Sequence, residues 1–459
     1  MVDPILFIFG FLALVVIFPL SPFKWSLLAY LILVHINLVD NSFTSATSIG
    51  VENAIKVIVL PTILLVRTRF LGFRIVRYNL AFWLWIIFGI YITVATIWSP
   101  LKLPAIKQIG FFYAYTVIWL VFVYAFKMDR KETYKIVARS FIAAFILAII
   151  QTYLLVNAPN NFGGIDDRFT SFTASQNFAL YLALLLIILI PVKPKHINGN
   201  LSKIILISLI LLSIVLNASR TNLVSLLIIL LLVAVFWGTS KQKFGQIAFV
   251  TGLLSSMILL VFTLLLLLST FYKSEFTTFI QSNRSLQLLG VLDDNFTLND
   301  IGTARFRTNI YATLLDQIEQ KPLSEVLFGS GTSSTGELIT QGIFNYRGYN
   351  ESTVDANRLA HNEFLRALYE WGVFGLAIFV LFFIAVFSGT LNLARKRKIF
   401  KFYVSSTSLI VIFLFLMLEN ILAGSGGPGG IIIAILFADL AASSTIHYYL
   451  PSKMEIQRV

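Results

Sequence analysis

The 459-residue chain contains no cysteine, which excludes disulfide bonds, thiolate nucleophiles and zinc sites built from thiolates. Charged side chains are also scarce: they make up 12% of the residues, about half of the share that is usual in soluble proteins. Hydrophobic residues account for 58% of the chain, and apolar runs of span length recur from one end to the other. The runs do not alternate as barrel strands do. The composition therefore predicts an all-α fold, a polytopic transmembrane bundle of helices.

Basic residues are unevenly distributed, and their positions predict the orientation of the spans. Clusters follow the third, fifth, seventh, ninth and eleventh apolar runs, for example at residues 67–77 and 395–401. Loops rich in Lys and Arg lie on the cytoplasmic side. The longest polar stretch, residues 272–358, then lies outside, and it holds seven basic and ten acidic residues although the whole chain carries a net charge of +13. This distribution follows membrane topology and does not indicate nucleic-acid binding.

Thirteen apolar runs are long enough to be spans, and twelve spans is the alternative because thirteen would place the short N-terminus outside. We expect ten spans in residues 1–271, an external loop with the candidate site in residues 272–370, and three spans with a short cytoplasmic tail in residues 371–459. The runs lie near residues 4–20, 23–38, 51–66, 79–98, 106–126, 136–156, 173–192, 203–218, 221–238, 246–271, 371–388, 402–422 and 429–447.

The segment AHNEFLRALYEWGVFG, residues 360–375, joins the external loop to a span. His361 opens a predicted helix, and Leu365, Leu368 and Gly372 follow it at helical spacing on one face. Histidine exchanges protons near neutral pH, which makes His361 the candidate general base. The alternative is a histidine that only lies at the membrane interface.

Other side chains compete with His361 or support it. Glu363 and Glu370 lie close to it in sequence, and either can orient the imidazole or act as the base in its place. His35, near the outer end of the second predicted span, is a rival histidine. The remaining histidines, both predicted to be cytoplasmic, are His196 and His447.

Four arginines are candidates for binding an anion at the outer face. Arg220 separates two apolar runs, where an arginine either meets an anion or anchors a tight helical hairpin. Arg305 and Arg307 lie in GTARFR, before a predicted amphipathic helix at about residues 309–320, and a helix start attracts anions. An ordinary loop salt bridge is the alternative for both. Arg168 precedes the seventh run. A guanidinium group can bind two phosphate oxygens at once, which suits a diphosphate ligand.

Two polar residues interrupt apolar runs. Asn177 either makes a helix–helix hydrogen bond or contacts a ligand. Glu419 is an intramembrane acid for which Arg220 is a candidate partner. The acidic pairs at 166–167 and 293–294 each lack a third ligand, so the sequence predicts no metal site, and we expect no cofactor.

Four motifs, taken together and in order, resemble the O-antigen ligase and O-antigen polymerase superfamily of bacterial envelopes. They are RFTSFTASQN, SRT, GTARFR followed by KPLSEVLFGSG, and HNEFLRALYEWGVFG. The resemblance covers residues 160–380 in detail. It departs from the family pattern in two places. The usual proline-glycine approach to the glycine turn is here Lys321-Pro322, followed by five residues and then Phe328-Gly329. The loop arginine of the family maps to either Arg305 or Arg307.

The resemblance implies a metal-independent, inverting glycosyltransferase of the membrane-embedded GT-C type. It further implies a multi-pass protein of the bacterial inner membrane with a periplasmic active site, in contact with membrane lipid. The donor would be a glycan on a polyprenyl diphosphate and the acceptor a saccharide or lipid-linked hydroxyl, with a chain-length regulator protein as a candidate partner. On this view His361 removes the acceptor proton, and the arginines hold the diphosphate.

Three functions remain as alternatives. We expect a polymerase of glycan repeat units, but the motifs do not separate it from a ligase that moves the finished chain onto lipid A core. A function of another class is a flippase or transporter of lipid-linked oligosaccharides, since transporters carry charges deep within their spans. Arg220 and His361 are both predicted near one face, which favours chemistry at the membrane surface.

Overall fold

The computed structural model describes residues 18–35, 55–150, 175–190, 199–217, 221–222, 224–230, 302–340, 362–395, 399–418 and 428–444. Every regular element in these ranges is helical, which confirms the predicted all-α bundle. The α-helices are α1 (Phe23–Leu33), α2 (Leu60–Arg67), α3 (Leu71–Val76), α4 (Leu80–Ala95), α5 (Lys102–Met128), α6 (Arg130–Ile149), α7 (Ser175–Leu189), α8 (Asn200–Leu216), α9 (Gly302–Glu319), α10 (Leu323–Phe328), α11 (Glu337–Thr340), α12 (Glu363–Arg395), α13 (Ile399–Leu418) and α14 (Pro428–Ser444).

Among the described helices, α5 and α12 are long and apolar enough to cross a membrane, at Lys102–Met128 and Glu363–Leu391. Shorter apolar helices lie at the positions of other predicted spans, among them α1, α4, α7 and α8. These helices are consistent with the predicted bundle of membrane helices. Most of the first predicted run and all of the tenth, 246–271, lie outside the described residues.

The helix α5 runs through the middle of the bundle, in contact with α2, α3, α4, α6 and α14. An aromatic seam joins it to α4 and α12: the ring of Trp85 stacks on Phe112 at 4.3 Å between centroids and lies 5.1 Å from Phe382. Phe88 contacts Phe379 at 5.2 Å in the same seam. Aromatic pairs of this kind add about 0.5–1.5 kcal/mol each beyond the burial of their area. The seam thus fixes α12 against the two helices whose junction supports the site.

The helix α5 ends beside a cluster of charged side chains. It ends where Asp129 becomes extended and caps α6, accepting hydrogen bonds from the N–H groups of Lys131 and Glu132 at 2.9 and 3.0 Å. At this end Arg130 pairs with Asp439, an acid within the last predicted span. A helix of 27 residues is roughly 40 Å long. Residues near the start of α5 are therefore separated from these basic side chains by about the thickness of a membrane.

Candidate functional site

The helix that follows the predicted base begins at Glu363, two residues after His361. Asn362 caps it, because its side-chain oxygen accepts hydrogen bonds from the N–H groups of Phe364 and Leu365 at 3.0 and 3.1 Å. His361 immediately precedes this cap and lies outside the described residues. The cap therefore fixes where the chain leaves His361 and enters α12.

One face of the first turns of α12 carries three buried, charged side chains: Glu363, Arg366 and Glu370 are 1%, 1% and 0% exposed. The guanidinium bridges the two carboxylates, with Arg366 Nη2 3.2 Å from Glu363 Oε2 and Nε 3.9 Å from Glu370 Oε2. It also lies 5.0 Å from the centre of the Trp371 ring. Sequence reasoning missed Arg366. The spacing of the three charges at i, i+3 and i+7 was the signal that placed them on one face.

The helix α12 is interrupted at Gly372, where φ is +63° and ψ is −169°. Because the helix is broken here, the carbonyl groups just before Gly372 have no N–H partner within the helix. Three of these carbonyl groups accept hydrogen bonds from residues outside α12. These bonds hold the segment Glu363–Trp371, here called the outer segment. The acceptors and their donors are Tyr369 with the N–H of Ser330 (3.1 Å), Glu370 with the N–H of Gly331 (2.9 Å) and Trp371 with the hydroxyl of Tyr91 (2.9 Å).

Two of these donors belong to residues 328–335, here called the glycine loop. It is polar but buried: Thr332, Ser333, Ser334 and Thr335 have no exposed surface. Ser333 has a φ of +67°, a region in which a residue with a side chain is strained. Strain of this kind costs about 1–3 kcal/mol and persists only where the surroundings impose it.

The carboxylate of Glu370 is the side chain that holds the strained turn. Its Oε2 accepts a hydrogen bond from the Ser333 N–H at 2.9 Å, and its Oε1 accepts one from the Thr335 hydroxyl at 2.6 Å. One side chain of α12 thus ties down both ends of the strained turn.

The other side of the glycine loop is anchored to the junction of α4 and α5. Ser99 donates a hydrogen bond from its hydroxyl to the carbonyl of Thr332 at 2.6 Å. The hydroxyl of Ser333 is 3.0 Å from the side-chain oxygen of Gln108 in the first turns of α5. The indole N–H of Trp371 reaches the Thr332 hydroxyl at 3.1 Å. The loop is therefore clamped between α12 and the starting end of α5.

Lys321 lies beside the same outer segment. Its amine donates a hydrogen bond to the carbonyl of Tyr369 at 3.2 Å and lies 3.1 Å from the centre of that ring. Burial lowers the pKa of Lys321 to about 8, although Glu325, Glu370 and Glu337 nearby act in the opposite direction. Lys321 lies two residues after the end of α9. Its contact with Tyr369 therefore places the end of α9 beside the end of the outer segment.

The helix α9 begins earlier than predicted. It starts at Gly302 and not near residue 309, so GTARFR forms its first turns and does not precede it. Buried Ile310 and Leu314 pack with Leu338 and Tyr369. Arg305 and Arg307 lie within the first two turns. By backbone register Arg307, three residues before Ile310 and seven before Leu314, is on the same face of α9 as these two residues, whereas Arg305 is on the opposite face.

The remaining candidates are dispersed. Asn177 is in the first turn of α7. His35, the rival base, is 1% exposed, and its ring lies 4.6 Å from Tyr181 and 6.2 Å from Phe178, an environment typical of a core histidine. In the described ranges no group of three His, Asp or Glu side chains is placed to hold a metal ion. The candidates outside the described residues are Arg168, Arg220, His361, Glu419 and the acidic pairs at 166–167 and 293–294.

Comparison with known proteins finds a match over residues 205–380 to the family described as O-antigen ligase. The matched range includes α9, the glycine loop and the outer segment, whereas Tyr91, Ser99 and Gln108, which contact them, lie before it. No curated protein matches the chain. Of the predicted site residues, the match includes Arg220, Arg305, Arg307, His361, Glu363 and Glu370, and it leaves out Arg168, Asn177 and Glu419.

Proposed function

We propose that this chain is a membrane glycosyltransferase, because residues 205–380 match the family described as O-antigen ligase. It transfers a glycan from a polyprenyl diphosphate to an acceptor hydroxyl at the outer leaflet. The observation that carries this proposal is the anchoring of the outer segment. The segment directly follows His361, and it is fixed by a capped start, a buried charge network and a clamped loop. Fixed geometry of this kind is what a transferase needs to hold a base beside its substrate.

The position of the glycine loop supports a periplasmic site. The loop contacts Ser99 and Gln108 at the starting end of α5, whereas Lys127 and Arg130 lie at its other end. Basic residues mark the cytoplasmic side, so the end near Ser99 is periplasmic. The topology predicted from the basic loops has the same orientation, since both use the distribution of Lys and Arg. The headgroup of a lipid-linked donor in the outer leaflet lies at the same level.

The reaction requires a base and an anion site. His361 removes the proton of the acceptor hydroxyl while its oxygen attacks the anomeric carbon, and the bond from that carbon to the diphosphate breaks. Attack from the opposite side inverts the anomeric configuration. Fixed arginines neutralise the departing diphosphate without a metal ion. A base of this kind contributes about a hundred- to ten-thousand-fold in rate.

Among the candidate arginines we assign Arg307, together with Arg220, to the diphosphate. By register Arg307 is on the face of α9 whose Ile310 and Leu314 pack towards the outer segment, and Arg305 is on the opposite face. A helix start also favours an anion through its free N–H groups. We keep three further residues as supporting residues of the donor site: Arg168, Asn177 and Glu419. We assign them a secondary contribution because all three lie outside the matched range, residues 205–380.

The family description favours a second candidate function, that of a ligase. Deleting the gene in cells distinguishes a ligase from a polymerase. Deleting a polymerase leaves acceptors that carry a single repeat unit, whereas deleting a ligase leaves complete chains on the carrier lipid. Separating the glycans of deleted and complemented cells on a gel, with and without mild acid to release carrier-bound chains, tests this directly. We expect the single-unit pattern. Complete chains that accumulate on the carrier would assign the ligase instead.

Purified protein in lipid nanodiscs tests the transfer itself. The probe is the carrier-linked glycan extracted from cells that lack the gene, and the readout is lengthening of the glycan together with release of the carrier diphosphate. Transfer should proceed unchanged in EDTA. Loss of transfer in EDTA with recovery on adding one divalent ion would show that the acidic pair at 293–294, or another metal site, takes part.

A further inference from the structure

The carboxylate of Glu370 is fully buried and both of its oxygens are already engaged. They accept hydrogen bonds from Thr335 and Ser333, and Arg366 lies 3.9 Å away. A general base must reach the proton that it removes, either directly or through one water molecule. A carboxylate with no exposed surface and two occupied acceptors is poorly placed for that task, but it is well placed to hold other groups.

We propose that Glu370 and Arg366 are positioning residues, which fix the outer segment on the glycine loop and thereby set the location of His361. This inference rests on the proposed transfer reaction. The break at Gly372 uncouples the outer segment from the membrane-spanning part of α12, so the helix alone does not determine its direction. The direction is set instead by contacts with the glycine loop, and the side chain of Glu370 binds both ends of the strained turn.

Arg366 stiffens the outer segment from within. Arg366 forms an ion pair with Glu363, three residues before it, and faces Glu370, four residues after it. Its guanidinium group therefore lies between the two carboxylates. The Trp371 ring covers it, and that ring in turn hydrogen-bonds the Thr332 hydroxyl. Lysine has no planar fork and cannot bridge two carboxylates in this geometry. Displacing a catalytic group by about 1 Å can cost a hundred-fold in rate, so the consequence of loosening this network is a lower kcat.

Glutamine at position 370 separates positioning from catalysis. Its carbonyl oxygen can accept the Ser333 N–H bond while its amide donates to the Thr335 hydroxyl, so Glu370→Gln keeps both contacts but cannot accept a proton at neutral pH. Glu370→Ala removes both contacts. Thr335→Val removes one donor with little change of shape. Glu319→Gln is the matched control, because Glu319 is an exposed carboxylate at the end of the neighbouring helix α9.

The measurement is kcat and KM for the carrier-linked glycan in nanodiscs, with the pH profile of kcat and the melting temperature of each variant. We expect Glu370→Gln to keep at least about a third of kcat. Glu370→Ala should lose about ten- to a hundred-fold in kcat with little change in KM and an unchanged pH profile. Thr335→Val should lose less, and combining it with Glu370→Ala should add almost nothing, because both remove the same contact.

Two results would overturn the inference. Glu370→Gln as inactive as Glu370→Ala, with the basic limb of the pH profile lost, would make Glu370 the base. Glu370→Ala and Thr335→Val both as active as Glu319→Gln would remove any positioning role. If Glu370→Ala does not fold, Glu370→Gln and Thr335→Val decide between these outcomes. Transfer by the wild-type protein tests the proposed function separately, since the inference concerns only the ratios between variants.

Discussion

The carbonyl oxygen of Leu327 occupies the space that a β-carbon on Gly372 would need. Leu327 belongs to α10, so the break in α12 and the start of the glycine loop approach each other through their backbones. Glycine is required at this position for two reasons, the close approach and the φ of +63°.

Gly372→Ala should therefore destabilise the protein by about 1–3 kcal/mol and lower transfer activity, because the outer segment can no longer dock. Gly389→Ala is the matched control: Gly389 lies in the same helix, and an added β-carbon there has no atom within 4 Å. That variant should be neutral or slightly stabilising, since alanine favours helix. Melting temperatures in detergent compare the two. Equal melting temperatures for both variants would contradict the docking account.

The pKa of Lys321 predicts a dependence of stability on pH. Burial lowers this pKa to about 8 in the folded protein, below the value of about 10.4 in an unfolded chain. Between these values the unfolded state binds more protons, so the contribution of Lys321 to stability rises with pH from about 8 to about 10.4. The melting temperature of the wild type minus that of Lys321→Met should rise over this window. A difference that is flat or falls with pH would show that the amine is not desolvated as described.

The two arginines of α9 form a natural pair of variants. Arg307→Ala should reduce transfer far more than Arg305→Ala, because only Arg307 is on the face of α9 that packs towards the outer segment. Arg307→Lys should recover only part of the loss, since lysine lacks the fork that binds two phosphate oxygens. Transfer rates per folded protein measure this. Arg305→Ala as the more damaging change would reverse the assignment and the register argument with it.

Reporter fusions test the topology. Alkaline phosphatase fused after Gly336 should be active, because residues 272–358 are predicted to lie outside, and the same enzyme fused after Arg397 should be inactive. A fluorescent protein that folds only in the cytoplasm should give the opposite pattern. An inactive phosphatase at Gly336 would overturn both the orientation and the location of the site.

Much of this fold could be predicted from sequence because its strongest signals are local. The apolar run predicted at residues 106–126 is found in α5 and the run at 371–388 in α12, since about twenty apolar residues specify a membrane helix with little help from the rest of the chain. The sequence placed the end of the helix near 309–320 correctly but its start seven residues too late, because GTARFR begins with glycine and its arginines resemble loop residues.

The glycine loop could not be predicted, because its contacts join residues far apart in sequence. FGSGT gave only a weak turn signal, and nothing local indicates that Ser99 and Gln108 would receive it. Arg366 was missed for a related reason: a charge between apolar residues is usually assigned to a solvated face. Its burial becomes apparent only when the two flanking glutamates are placed on the same face of the helix.

The central claim is that His361 is the general base, held in place by the outer segment that follows it. The most direct measurement is the transfer rate of His361→Gln in nanodiscs, compared with His35→Gln and His196→Gln at equal amounts of folded protein. Glutamine keeps hydrogen bonding but cannot act as a base near neutral pH. We predict that His361→Gln still binds the donor and transfers about a hundred- to ten-thousand-fold more slowly, while the other two variants remain close to wild type. A His361→Gln variant that transfers at nearly the wild-type rate would contradict the account, leaving Glu363 or Glu370 as the base.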